Sequence, residues 1–368
     1  MNEKQSKTRE PLISITKRDA IVWYKSWAIR AGAIVLALVV CALVTVVLTN
    51  YNPIEVYAEM IKGSFGSKQK TWVLFQNLAM LLCISLAVTP AFKMRFWNLG
   101  AEGQVLVGGL ATAACMFYIK DRMNPVLMII IMLAASILAG MLWGLIPAVF
   151  KAYLNTNESL FTLMMNYVAI QLVSFFIMVW VPNGSSVMGI INQSSEAGWL
   201  PRLFGQKYLL NIIIVALLTI VMFIYLKYAK QGYEIAVVGE SENTARYIGI
   251  NVKKVIIRTM LISGGLCGLS GFLLVSGTNH TISTSIAGGM GFTAIMVSWL
   301  AKFNPILMVI TSFLIVFMQK GAGEIATTFR LNQSVADILT GIILFFIIGC
   351  EFFIHYKINI HLKHKEVK

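Results

Sequence analysis

The chain has 368 residues, of which 58% are hydrophobic and only 12% charged, with a formal net charge of +14 and a mean hydropathy of +0.76. So little charge over such a length excludes a soluble globular enzyme, and uncharged runs of about 20 residues are long enough to cross a bilayer as helices. The positive charge is assigned to cytoplasmic loops, which gather Lys and Arg whatever the ligand; no compact basic domain stands outside the apolar runs to bind nucleic acid.

Residues 1–27 form a polar, basic cytoplasmic arm that lacks the early apolar core of a cleaved signal peptide. Apolar runs follow at 28–49, 72–91, 99–118, 125–149, 159–181, 208–226, 257–277, 288–301, 305–319 and 335–355, the eighth and ninth being short. With the N-terminus inside, the inner segments hold most of the 30 Lys and Arg, so an even count with both termini cytoplasmic satisfies the charge rule. The expected architecture is an all-α polytopic membrane protein of about ten transmembrane helices. They occupy a domain over 28–356, with a cytoplasmic loop at 227–256 and a basic tail at 357–368. The five cysteines lie inside apolar runs without metal-ligand spacing and read as small buried hydrophobes.

Outside the membrane, "IEVYAEMIKGSFGS" after Pro53 sets Ile54, Tyr57 and Ile61 on one face of a short interfacial helix. The longest outer loop, 182–207, is rich in Gly, Ser, Asn and Pro and carries two aromatics, Trp199 and Phe204, suited to anchor it. Five runs precede residue 200 and five follow it, so equivalent runs point in opposite directions, as two inverted halves. The third run of each half opens with glycines, "NLGAEGQVLVGG" on the inner side and "GGMGFTAIMVSW" on the outer. Short, glycine-interrupted segments at matching places in inverted halves point to a translocation path.

Within the first of these, Asn98 is placed to cap the helix and Glu102 sits in its first turn, where the dipole favours a carboxylate. Two readings of Glu102 stand open: a tie to neighbouring backbone, or a lining of a polar path. Asn155, Ser159, Thr162 and Asn166 recur at helical spacing and make a polar stripe on the fifth run. The stripe serves either interhelical hydrogen bonds or the path. "SGGLCGLSGFLL" (263–274) and "GMLWG" (140–144) carry glycines four apart and read as close-packing helix faces. In 227–258, Ser241 caps a short helix through about Ile248, Glu242 suits its first turn, and Gly249 ends it in a left-handed conformation. No phosphate loop, HExxH or GxSxG pattern is present, so no catalytic residue and no metal ligand is assigned.

Taken together, "FWNLGAEGQ", "NESLFTLMMNYVA", "VGESENTARYIGI", "ISGGLCGLSG" and "GGMGFTAIMVSWLAKFNP" resemble the permeases of the branched-chain amino acid, simple sugar and nucleoside class of ABC transporters. The resemblance spans roughly residues 50–355 and is nearest to the nucleoside type. It implies an importer subunit of the cell membrane that works with a cytoplasmic ATPase, a second permease and an extracytoplasmic binding lipoprotein. The chain itself then binds no cofactor, ATP and magnesium being used by the ATPase. The resemblance implies that "VGESENTARYIGI" docks on that ATPase through Gly239, Glu240, Asn243, Ala245, Arg246, Tyr247 and Gly249. From the polar stripe, the intramembrane acid and the glycine-rich starts, Asn98, Glu102, Gln104, Thr162, Asn166, Gly289, Gly291 and Phe292 are the candidates for the path. Two departures from the family form are the acids Glu240 and Glu242, and Trp97 inserted within the "FN" pair. Cargoes of the sugar or riboflavin kind remain alternatives, as does a stand-alone secondary transporter or channel.

Overall fold

The computed structural model describes residues 13–18, 22–49, 52–120, 123–181, 188–330 and 332–360. The first twelve residues of the basic arm, residues 182–187 of the outer loop and the tail from 361 lie outside the described residues. In chain order the first elements are β1 (Ile13–Lys17), α1 (Trp23–Thr49), α2 (Pro53–Phe65), α3 (Lys68–Lys93), α4 (Ala101–Tyr118), α5 (Pro125–Leu154) and α6 (Glu158–Trp180). There follow α7 (Leu209–Tyr228), α8 (Lys230–Glu240), α9 (Glu242–Tyr247), α10 (Val252–Leu274), α11 (Met290–Leu300), α12 (Pro305–Thr328), α13 (Gln333–His355) and β2 (Tyr356–Ile360).

Eight of these helices are long and apolar enough to cross a membrane: α1, α3, α5, α6, α7, α10, α12 and α13. The other two apolar runs differ from the expected spans. In α4, Glu102 and Gln104 dilute an 18-residue helix, and α11 has 11 residues, about 16 Å of rise. The ninth run, expected to stop at 319, continues to Thr328. Lys320 and Glu324 end the apolar run but not the helix.

The chain divides into two compact units. One comprises residues 1–64 with 318–368. Here α1 packs along α13, and Tyr57 of α2 donates to the carbonyl of Leu38. The helix expected after Pro53 is present, but it turns Val56 and Met60 inward and leaves Ile54 and Ile61 exposed. Met60 rests on Gly321. Antiparallel pairing of β1 with β2, Ile13 opposite Ile360, sets the two described ends of the chain side by side, a pairing that helical periodicity does not announce.

The second unit, residues 65–317, is built around α3 and α10. They bury 72% and 78% of their apolar cores, against 22–28% for α5, α6 and α7, so these two are the axis. The expected glycine seams are real. A methyl group on Gly140 would strike the Gly264 carbonyl, one on Gly268 the Ser136 carbonyl, and one on Gly108 the backbone of Gly268. The backbones of α5, α10 and α4 therefore touch, and dispersion between them replaces the hydrophobic drive that lipid removes. Packing is reciprocal between the halves: α10 lies on α4 and α3 lies on α11, with Thr89 and Ser298 hydroxyls 3.0 Å apart at the second contact.

After α10 the chain widens into a π-helical turn, Val275–Asn279, which His280 closes by donating its N–H to the Val275 carbonyl at 2.9 Å. Thr278 in this turn accepts from the amides of Gln76 on α3 and Asn211 on α7. The outer loop is stitched to the same turn. Ser276 donates to the Gly198 carbonyl, Thr281 to that of Met188, and Trp199 stacks on His280 with centroids 3.8 Å apart. Trp199 is thus a packing residue of the loop, whereas Phe204 is 90% exposed.

Two outcomes follow. Gly268→Val drives a side chain into the α5 backbone at Ser136 and Ile137 and should cost on the order of 3 kcal/mol, read as loss of monodisperse, heat-stable protein in detergent. Gly323→Ala, which meets nothing within 4 Å, should be tolerated. The His280 imidazole is pulled down to about 4, first by burial and then by the charges of Lys207 and Arg202. Because its ordinary value is higher, the unfolded chain takes up a proton that the folded one refuses as pH falls from about 6.5 towards 4. Stability should therefore be full above that window and decline through it. His280→Phe, which keeps a ring on Trp199, should flatten the melting temperature between pH 7 and pH 5.

Candidate functional site

The short helices α4 and α11 begin at the same place. Glu102, in the first turn of α4, accepts the backbone N–H of Gly289 at 2.9 Å through Oε1 and that of Gly291 at 2.8 Å through Oε2. These amides are among the first of α11, which has no earlier turn to accept them. One carboxylate thus lies at the positive ends of two helix dipoles, an arrangement each dipole favours. The sequence had set the two glycine-rich starts on opposite sides of the membrane. Instead they meet, because both helices are short and each is reached through an irregular approach, 94–100 for α4 and 280–289 for α11.

Glycine is required on the α11 side. Gly289 is the N-cap at φ +72, a left-handed conformation that other residues rarely adopt. At Gly291 a Cβ would come within 2.7 Å of Glu102 Oε2 and of its backbone nitrogen. Phe292, next along, is 45% exposed. Of the path candidates, Glu102, Gly289, Gly291 and Phe292 are brought together here.

Asn98, Gln104, Thr162 and Asn166 hold the start of α4 in place. The polar stripe of α6 faces the 97–103 backbone. Asn166 accepts the Gly103 N–H and donates to the Leu99 carbonyl, each at 2.8 Å, while Thr162 accepts the Leu99 N–H at 3.1 Å. Asn155 lies apart, exposed at the end of α5 in a left-handed turn. Asn98 is not the N-cap, which is Gly100. Its Oδ1 accepts the Gly100 N–H at 3.1 Å, and its amide exchanges longer bonds with Gln104 and donates to the Ser263 hydroxyl of α10 at 3.3 Å. All three are buried. Ser263 was passed over because it opens a glycine run that reads as packing. Trp97, the insertion in the motif, leaves Phe96 buried in the core and stacks on Trp299 at 5.7 Å.

On the loop between α7 and α10, Ser241 caps α9 by accepting the Thr244 N–H at 3.2 Å. Gly249, at φ +85, follows the helix in the expected left-handed conformation. The preceding helix α8 was not foreseen. It buries Ile235 and Val238 in a cluster with Ala91 of α3, Ala148 of α5 and Val255 and Met260 of α10, and Ala245 of α9 joins the same cluster. Gly239 faces the Lys93 carbonyl, where no side chain fits. Gly239 and Ala245 therefore attach the loop to the body and do not face outward. Glu240, Asn243, Arg246, Tyr247 and Gly249 are exposed, with Tyr247 at 95%; Arg246 pairs with Glu242 at 3.1 Å.

Residues 73–348 match the family described as branched-chain amino acid transport system / permease component. The chain belongs to that permease family. It resembles the guanosine ABC transporter permease protein NupP of Bacillus subtilis, at 29% identity over 86% of this chain and 91% of the relative. The nucleoside ABC transporter permease protein NupB of Lactococcus lactis is 26% identical over 94% and 92%. The glucose ABC transporter permease protein TsgB13 of Haloferax volcanii is 24% identical over 89% and 88%. This permease is a multi-pass transport subunit of the cell membrane.

Removing the Glu102 carboxylate leaves two α11 amides without acceptors. Glu102→Ala should destabilise the permease by about 3 kcal/mol and Glu102→Gln, which keeps one acceptor oxygen, by about half of that. Thermal unfolding in detergent measures both, and equal melting of the two variants would count against the two-amide tie.

Proposed function

We propose that this permease is the membrane subunit of an ATP-driven importer of nucleosides. It works with a separate cytoplasmic ATPase, a second permease chain and an extracytoplasmic binding lipoprotein, and both of its termini lie in the cytoplasm. The observation that carries the coupling is α9, a capped helix whose inner face is fixed to the body by Ala245 while Tyr247 stands exposed. The end-to-end likeness to guanosine and nucleoside permeases supports the cargo. ATP and magnesium belong to the ATPase, and this chain supplies no reacting group.

The load enters at α9. A push on Tyr247 and its neighbours passes through Ala245, Ile235 and Val238 to the ends of α3, α5 and α10, which meet in that cluster. Of those, α5 and α10 share a close backbone seam and α3 packs along α10, so they move as a group. The path runs beside the meeting of α4 and α11, where Glu102, Gly289, Gly291 and Phe292 lie. Asn98, Gln104, Thr162 and Asn166 keep the approach to α4 in shape. A neutral polar solute needs hydrogen-bonding walls, and selectivity then rests mainly on the binding protein. The likeness to a glucose permease supports a second reading, the same machinery carrying a simple sugar.

Arg246→Glu and Tyr247→Asp change exposed groups and should leave the permease folded in the membrane while abolishing co-purification of the ATPase and uptake. Retention of the ATPase by both variants would remove α9 as the docking element. Competition between labelled guanosine, glucose and riboflavin for uptake, in cells lacking other importers, decides the cargo.

A further inference from the structure

A cavity of about 410 Å³ opens between the end of α5 and the first turns of α10. Its walls include Tyr153, Lys253, Lys254, Ile257, Arg258 and Leu261. Three cations thus converge on one hollow. Among the described residues a single carboxylate answers them: Glu234 takes the Arg258 guanidinium at 2.8 Å, and Arg258 Nε stays buried without an acceptor. Lys253 lies over the Tyr153 ring, 4.8 Å from its centroid, and both lysines are exposed.

The charge is out of place for the helix alone. Lys253 and Lys254 fall in the first turn of α10, which holds no acid, and a helix start favours anions over cations. An anion seated in the hollow would satisfy two lysines and the helix dipole together. The wall below the cations is aliphatic. Ile257 and Leu261 descend from Lys253 at helical spacing into a segment long and apolar enough to span the membrane. A free anion has no use for that strip, whereas an acyl chain does.

We propose that this cavity is a headgroup site for an anionic phospholipid. Its phosphate lies among Lys253, Lys254 and Arg258, and its chain runs along Ile257 and Leu261. The site is independent of the cargo.

The test uses the full-length permease in detergent, with phosphatidylglycerol, phosphatidylcholine or inorganic phosphate added, read by native mass spectrometry and by melting temperature. Phosphatidylglycerol should be retained and should raise the melting temperature saturably, and phosphatidylcholine should do neither. Lys253→Gln with Lys254→Gln should weaken phosphatidylglycerol retention about thirtyfold, the combined effect of two basic side chains at an acidic surface. Lys253→Arg with Lys254→Arg should restore it. An unchanged melting temperature of the Gln variant in phosphatidylcholine shows that folding is intact. Equal retention of the two lipids by the wild type, or undiminished retention by the folded Gln variant, overturns the proposal. Displacement of phosphatidylglycerol by millimolar inorganic phosphate overturns the lipid in favour of a free-anion site.

Discussion

A backbone N–H that loses water and finds no acceptor costs on the order of several kcal/mol, and inside a bilayer there is no water to fall back on. Helix α11 has 11 residues, and its first amides have no earlier turn to accept them. Glu102 answers two of them. The same carboxylate stands in the first turn of α4, so the two helix starts, which would repel as like poles, are held together by an anion between them. The cost of an acid and of four glycines in an apolar segment is offset here: the acid accepts, Gly100 and Gly103 let α6 come close, and Gly108 does the same for α10.

Around this junction the remaining polar groups of the unit fall into place. Asn166 and Thr162 do for the 97–103 backbone what Glu102 does for α11. The α10 helix, nearly buried, carries the glycine faces against α4 and α5, and its own N-terminal turns share a core with α8 and α9. A displacement at the exposed side of α9 therefore reaches the glycine seams through a continuous chain of packed side chains.

Hydropathy made the long helices legible, and the four-residue glycine spacing made the α5–α10 seam legible, since both follow from local periodicity. Capping chemistry did the same for α9: Ser241 and Gly249 act where such residues must. The meeting of α4 and α11 was hidden because two segments nearly 190 residues apart share one carboxylate, and nothing local marks that pairing. Asn98 has the side chain and the place of an N-cap, but its Oδ1 accepts two residues ahead in a turn that precedes the helix. Gly239 and Ala245 were given to an outer partner because a motif does not say which of its residues face inward. The pairing of β1 with β2 joins chain ends, and short alternation at a terminus carries too little signal to announce it.

The π-helical turn at 275–279 holds one residue more than regular winding requires. Deleting one of its residues would replace the wide turn with regular winding and shift the groups of the turn by one place against their partners. Thr278 would then leave the amides of Gln76 and Asn211, and His280 would leave the Trp199 ring. At this point the chain is constrained in its arithmetic as well as in its chemistry: a side chain on Gly277 would strike Asn211, and the tally of residues between the glycine seam and the outer loop cannot shrink.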